Sequence, residues 1–322
     1  MTQTPAHQPA LHVYERRAHV SVAHVQFVSA SPEEPAECRN GCVYCYSPYV
    51  SPVNRFQSID HMMQALKHNK DRYDMIGQGC EQEMFTNQAR AVEMMKMWAS
   101  LGKIILFSTK ENLTDETIEA LVNIDTALRQ HGSYLFAQSS FVSGRERKDL
   151  EPRAPSVYER IDTLKRLSAA GIYASAFIKP LLPESIVPID DIFELVDRTA
   201  EFTDCYVVGA FYFEQHLLRK MNLLKKISSA SWQKDVEANV ALEFLAETAS
   251  TNSSNDPHGP KGLKDQEGSD NDLEKDSDKV RHQRRFFRYF DERRVDRLVG
   301  YIKLQDGIAF TKTTPAVLSF FS

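Results

Sequence analysis

Short apolar runs alternate with amphipathic stretches along the first two thirds of the chain, a pattern that predicts strands alternating with helices. HVSVAHVQFVSA (19–30) reads as a first strand, followed by YDMIG (73–77), KIILFSTK (103–110), SYLFAQSS (133–140), IYASAFIKP (172–180) and DCYVVGAFYF (204–213). Between them lie helical segments with start and stop signals. Ser58 caps IDHMMQALKHN, a Met-rich stretch ends at Gly102, Thr114 opens a helix that Gly132 stops, and DDIFELVDRTAEF follows the fifth strand. The clearest helix is PSVYERIDTLKRLSAAG (155–171). There Ser156 and Glu159 form a capping box after Pro155, Val157, Ile161, Leu164 and Leu167 share a face, and Gly171 closes the C-terminus.

Six strand–helix units in this order predict a parallel sheet curved into a barrel or part of one, with chemistry at the C-terminal ends of the strands. Two stretches break the pattern. Residues 251–280 carry eight Asp or Glu against four Lys or Arg and almost no apolar side chains, so burial there cannot offset the entropy of ordering. A disordered acidic linker is the expectation. It accounts for most of the formal net charge of −5, leaving the rest nearly neutral. Beyond it, VRHQRRFFRYFDERRVDRL interleaves Arg281, Arg284, Arg285, Arg288, Arg293 and Arg294 with Phe286, Phe287, Tyr289 and Phe290. Two readings fit: arginines on phosphates with aromatics on bases, or a helix packing its aromatics inward. The C-terminal LVGYIKLQDGIAFTKTTPAVLSFF reads as strands or a closing segment over the barrel mouth.

At 322 residues and 42% hydrophobic composition, the chain is long enough to bury a large core. No leader-like N-terminus and no apolar run long enough for a bilayer is found, and two of the five cysteines, Cys80 and Cys205, are separated singletons, unlike a secreted disulfide framework. A cytoplasmic protein with no membrane partner is expected. The other three cysteines, Cys38, Cys42 and Cys45, stand in ECRNGCVYCYSP, just after the first predicted strand. A closed structural zinc site takes four ligands and a redox pair takes two, so a compact trio suits a centre with one open position, such as a cubane iron–sulfur cluster held by three corners. Zinc completed by a distant His24 or His61, or reduced thiols in a core, are the alternatives.

CRNGCVYCY followed by repeated strand–helix units resembles the radical S-adenosylmethionine superfamily. EPRAPSVYERIDTLKRLSAAGIYASAFIKPLLP is similar to a segment of its spore photoproduct lyase and DNA repair photolyase-like members. The resemblance covers roughly residues 19–215. It implies an α/β fold: a partial (β/α)6 TIM-type barrel of the radical SAM kind, with the disordered acidic insertion and a C-terminal extension. The divisions are then an N-terminal extension (1–18), a core (19–250), the linker (251–280) and an extension packing on the core (281–322).

The resemblance also implies cofactors and roles. Cys38, Cys42 and Cys45 would hold a [4Fe–4S] cluster whose free iron binds S-adenosylmethionine, and an electron donor such as flavodoxin or ferredoxin would reduce it. Tyr44 would pack near the adenine, Lys110 would meet the cofactor carboxylate, and Ser139 or Ser140 would bond the cofactor. Many members have Gly-Gly-Glu-Pro at the second strand, where this chain has GQGCEQEMF (77–85). Spore photoproduct lyase also lacks that motif and has there a cysteine that returns hydrogen to the product radical. Cys80 falls in a comparable place, while Glu81 and Glu83 are candidate contacts to the cofactor amine or the substrate. The expected function is cleavage of S-adenosylmethionine to a 5′-deoxyadenosyl radical that abstracts hydrogen from a small molecule, peptide or nucleoside. A DNA lesion lyase, with nucleic acid held through 281–294, is the alternative, and a non-catalytic metal-binding interaction protein is a third reading.

Overall fold

The computed structural model describes residues 11, 14–15, 21–27, 38–45, 55–56, 58–78, 83–214, 243–245, 286–289 and 291–311. Within them, strand follows helix as the apolar pattern predicts. β1 (Tyr14–Glu15), β2 (Ser21–Phe27) and β3 (Arg55–Phe56) precede α1 (Ile59–His68). Then come β4 (Met75–Gln78), α2 (Gln88–Ala99), β5 (Ile104–Thr109), α3 (Asp115–Arg129), β6 (Leu135–Phe141), α4 (Val157–Ala169), β7 (Tyr173–Ile178), α5 (Ile189–Thr199) and β8 (Cys205–Val208). The sheet runs β2-β4-β5-β6-β7-β8 with every pair parallel, as crossover helices require. It is an α/β fold of the partial TIM-barrel type.

Local chemistry sets the helix ends. Ser58, Asn87 and Thr114 each accept a backbone N–H of the first turn, and Ser156 with Glu159 makes the reciprocal capping box. Gly102, Gly132 and Gly171 take positive φ just beyond α2, α3 and α4. One face differs from expectation. Along α4 the buried positions are Val157, Arg160, Thr163, Leu164 and Leu167, with Ile161 only partly buried.

Two outer cores lie between sheet and helices, one around Trp98, Phe107 and Leu135, the other around Phe141, Leu195 and Tyr206. The inner core fills the concave side: Leu106, Phe136, Phe177 and Val207 come from alternate positions of neighbouring strands. α5 also seats the loop after β6 by close backbone approach, with Gly144 N–H donating to the Asp191 carbonyl at 2.8 Å.

The predicted sixth strand is split. It breaks at Gly209–Ala210, and β9 (Phe211–Glu214) leaves the barrel to join β10 (Glu243–Leu245) and β11 (Phe286–Tyr289) in a separate antiparallel sheet, ordered β10-β11-β9. This corrects the helical reading of the Arg–Phe segment. Its aromatics at 286–289 stand on a strand, and the helix, α6 (Glu292–Leu304), begins only after the Asp291 cap. Arg294 is withdrawn from any phosphate, because it is buried and pairs with Glu184 at 2.5 Å while also donating to the Val187 carbonyl. The C-terminal segment contributes more than a lid. β12 (Ile308–Phe310) pairs parallel with β8 and extends the parallel path by one strand beyond it. Residues 251–280, the expected linker, lie outside the described residues. No helix among the described residues is long and apolar enough to cross a membrane.

Gly144 supplies a test of the helix–loop contact. A methyl at this position would stand 2.4 Å from the Leu195 nitrogen and 2.6 Å from the Asp191 carbonyl, both backbone atoms. Gly144→Ala is expected to lower stability by about 1–3 kcal/mol, the usual cost of overpacking, read as a fall in the urea midpoint. An unchanged midpoint would mean that α5 shifts without cost.

Candidate active site

The cysteine loop is held by backbone bonds as well as by the burial of Cys42, Val43 and Tyr44 in the outer core beside Phe141 and Leu150. Val43 N–H donates to the Leu150 carbonyl at 2.9 Å, Arg153 N–H to the Asn40 carbonyl at 3.3 Å, and Cys45 N–H closes a turn onto Cys42 at 3.1 Å. Gly41 takes φ +62°, a backbone conformation that favours glycine, at the point where the loop passes the Arg153 side chain. Cys38, Cys42 and Cys45 form no disulfide and lie within electrostatic reach of one another.

The segment that pins the loop also carries Glu151, a buried carboxylate where four elements meet. Its Oε1 accepts from Lys110 Nζ at 2.7 Å and from the Tyr44 hydroxyl; its Oε2 accepts from Arg160 Nη2 at 2.7 Å. Lys110 lies just past the end of β5, and its Nζ also donates to Ser140 Oγ at 3.0 Å. Arg160, on the inner face of α4, donates to the Ser140 carbonyl at 2.8 Å. Burial opposes ionisation of Glu151, but the Lys110 and Arg160 charges outweigh it and hold its carboxyl down at about 2. Burial and the Glu151 charge push the Tyr44 phenol well up, so it stays protonated and donates.

Burial pushes the Cys42 thiol up, with Lys110 acting against it. It pushes Cys38 up to about 12, with the Asn40 backbone N–H acting against it and Glu83 reinforcing it. Metal coordination would displace these protons. Among the described residues no three His, Cys, Asp or Glu side chains are placed to hold a single metal ion. A cubane takes each thiolate at a separate corner, so its ligands need not converge on one point. Three thiols outside any disulfide on one loop, with Lys110 and Arg160 acting on Cys42 to balance negative charge, fit such a cluster. Of the zinc alternatives, His61 is exposed and lies edge-on to Phe56, and nothing is described of the His24 side chain.

The two serines part company by strand parity. Ser140 faces Lys110, whereas Ser139 faces α4, its hydroxyl donating to the Arg160 carbonyl at 3.3 Å. Tyr44 is buried with its hydroxyl on Glu151. Cys80 and Glu81 lie outside the described residues. Glu83 accepts from Lys110 N–H at 2.8 Å and Thr109 Oγ1 at 2.7 Å, thereby anchoring the end of β5. Sequence reading missed Glu151 and Arg160. The 157, 160, 164, 167 spacing on α4 was the available signal for Arg160, since it puts one arginine in an apolar stripe.

No family model matches the chain. It is 26% identical over 195 residues to a radical SAM Nalpha-GlyT isomerase of Pseudomonas phage M6, covering 54% of this chain and 37% of that protein. A 71-residue stretch is 41% identical to an uncharacterized protein of Methanocaldococcus jannaschii, covering 22% of this chain and 24% of that one. The chain thus spans well under half the length of these curated relatives. Spore photoproduct lyase complexed with dinucleoside spore photoproduct superposes with a TM-score of 0.54 at 15% identity, covering 91% of this chain and 82% of that one. A variant of that lyase with bound AdoMet and the dinucleoside gives 0.53 at 14% identity, covering 85% and 73%. The chain resembles the radical SAM enzymes in sequence and fold. The likeness to the lyase structures at these identities is one of fold alone. In this partial TIM-type barrel, the cysteine loop, Lys110 and Ser140 gather at the C-terminal ends of the strands, joined through Glu151.

Two predictions test this assembly. Glu151→Ala leaves two buried cations uncompensated and is expected to cost about 3–5 kcal/mol, the usual penalty for breaking a buried pair, measured by urea unfolding. A loss below about 1 kcal/mol would show that water reaches the cluster of charges. Burial raises the Glu83 carboxyl from its ordinary 4.5 to about 7, against the lowering effect of hydrogen bonds from Lys110 and Thr109. The folded chain therefore holds this proton more tightly than the unfolded one, and the Glu83 contribution to stability falls as pH rises from about 4.5 to about 7. Glu83→Gln should flatten thermal stability across that window, and parallel profiles for the two proteins would contradict the assignment.

Proposed function

We propose that this chain is a radical SAM enzyme in which Cys38, Cys42 and Cys45 hold a [4Fe–4S] cluster, acting on a small molecule, peptide or nucleoside. The observation that carries the reading is the three-thiol loop pinned against the Lys110–Glu151–Arg160 charge set at the C-terminal ends of the strands. When bound, the cluster and S-adenosylmethionine supply reductive cleavage to methionine and a 5′-deoxyadenosyl radical, driven by an electron donor of the flavodoxin or ferredoxin kind. The chain's residues bind, orient and exclude water. Lys110, steadied by Glu151, places positive charge beside the thiolates, and Ser140 offers a hydroxyl next to that ammonium. The buried Tyr44 and the backbone bonds to Leu150 and Arg153 keep the loop from spreading. Cys80 is proposed as the hydrogen donor to the product radical, and Glu81 as a contact to the cofactor amine. A DNA lesion is a second substrate reading, favoured by the dinucleoside in the solved lyase.

Anaerobic reconstitution with iron and sulfide, followed by reduction with S-adenosylmethionine, is expected to yield 5′-deoxyadenosine from the native chain and none from Cys42→Ala. Stoichiometric zinc with no deoxyadenosine from the native chain would leave a structural metal site in place of this reading.

A further inference from the structure

Between the apolar floor of the barrel and its mouth, the concave face of the sheet carries a polar tier. The strand register puts Ser108 of β5 beside Gln138 of β6, and Gln138 beside Ser175 of β7. All three share the inward parity of Leu106, Phe136 and Phe177, and all three lie inside their strands, where side chains alternate between faces. Their chain neighbours turn the other way: Phe107, Ala137 and Ala176 belong to the outer cores, and Ser139 donates to the Arg160 carbonyl of α4. The level beneath the tier is Leu106, Phe136 and Tyr173. The level above it sets Ser140 beside Phe177, with Lys110 donating to the Ser140 hydroxyl.

Packing alone does not call for such a tier. Interior positions of a parallel barrel are ordinarily filled by bulky branched apolar side chains, and a buried amide costs stability unless its donors and acceptors are met. Gln138 is 2% exposed, and among the described residues its carboxamide makes a single hydrogen bond, from Nε2 to Ser175 Oγ at 3.4 Å, longer than such bonds usually are. A carboxamide has two N–H donors and an oxygen that accepts twice, so most of its capacity is uncommitted. The space beside it is open, because Ser108, level with Gln138 and facing the same way, is partly exposed although Leu106 beneath it is buried. An uncharged donor and acceptor therefore face the barrel interior one level, about 7 Å, beneath Ser140.

We propose that Gln138 is a substrate-binding residue, flanked by Ser108 and Ser175, and that the group it receives is an uncharged amide edge, a C=O and an N–H presented side by side. The C=O accepts from Nε2 while the N–H donates to Oε1, so two hydrogen bonds form together. A carboxylate or phosphate offers no N–H to Oε1, and an apolar group would leave both atoms of the buried carboxamide unmet. The proposal rests on the radical SAM reading, because it takes the interior beneath Lys110 and Ser140 as the place where substrate lies. It narrows that reading from any small molecule, peptide or nucleoside to one that carries such an edge, on a peptide or on a nucleobase.

The reconstituted chain with S-adenosylmethionine bound is titrated by calorimetry with N-acetylglycine N-methylamide, as the peptide source of the edge, and separately with uridine, as the nucleobase source. Native protein is expected to bind at least one of them. Gln138→Leu should weaken that binding about tenfold or more, the scale of a pair of lost hydrogen bonds, whereas Gln130→Leu, at an exposed position closing α3, should match native protein. Gln138→Leu extends the apolar interior by one level and is expected to unfold at or above the native urea midpoint, so that lost binding is not lost folding. If its midpoint falls below native, Gln138→Met, closer to glutamine in shape, takes its place. A response to the peptide alone or to uridine alone assigns the source of the edge. Failure of native protein to bind either probe, unchanged binding in Gln138→Leu, or equal weakening in Gln138→Leu and Gln130→Leu overturns the proposal. Deoxyadenosine formation by the same native sample is scored separately. Its absence beside Gln138-dependent binding would sink the radical reading and leave the amide site standing.

Discussion

The arrangement at the mouth of this barrel depends on one buried carboxylate. Glu151 is nearly inaccessible to water, and its ionisation is tolerable only because Lys110 and Arg160 each approach within 2.7 Å. A buried charge without partners costs several kcal/mol, so none of the three can move without stranding the others. That mutual constraint ties the end of β5, the inner face of α4 and the loop after β6 into one unit, and Tyr44 ties the cysteine loop to the same atoms.

From that knot the rest of the geometry follows. The Leu150 and Arg153 backbone contacts tie the cysteine loop to the segment that carries Glu151, and the positive φ of Gly41 turns the chain between them. Strand parity then decides which hydroxyl of the Ser139–Ser140 pair belongs to the mouth. An adjacent pair on a strand cannot share a face, so Ser140 meets Lys110 while Ser139 serves the packing of α4. On the inner face Leu106 and Phe136 lie level with one another, while Phe177 and Val207 stand level with Ser140, so the apolar core reaches the side of the mouth.

The C-terminal segment shows how tertiary pairing changes the meaning of composition. Arginines interleaved with aromatics look alike on a nucleic-acid surface and in a packed core. Here Phe286–Tyr289 pairs with β9, and Arg294 is consumed by Glu184 and the Val187 carbonyl, while β12 extends the barrel sheet next to β8. Partners 72 to 110 residues away in the chain make these assignments, and no local signal announces them.

What the sequence by itself determined was everything carried by short-range chemistry. The alternation of apolar runs and amphipathic stretches set the order of strands and helices. Ser58, Thr114, Ser156 and Gly171 marked helix ends because capping involves atoms only a few residues apart. The spacing of Cys38, Cys42 and Cys45 put three thiols on one short loop, since they lie within eight consecutive residues. Only the tertiary structure decided that Glu151 and Arg160 belong to the site and that Ser140 rather than Ser139 faces Lys110. Those facts depend on which buried charges find each other across strands and helices, and charge complementarity between distant residues leaves no periodic trace in the chain.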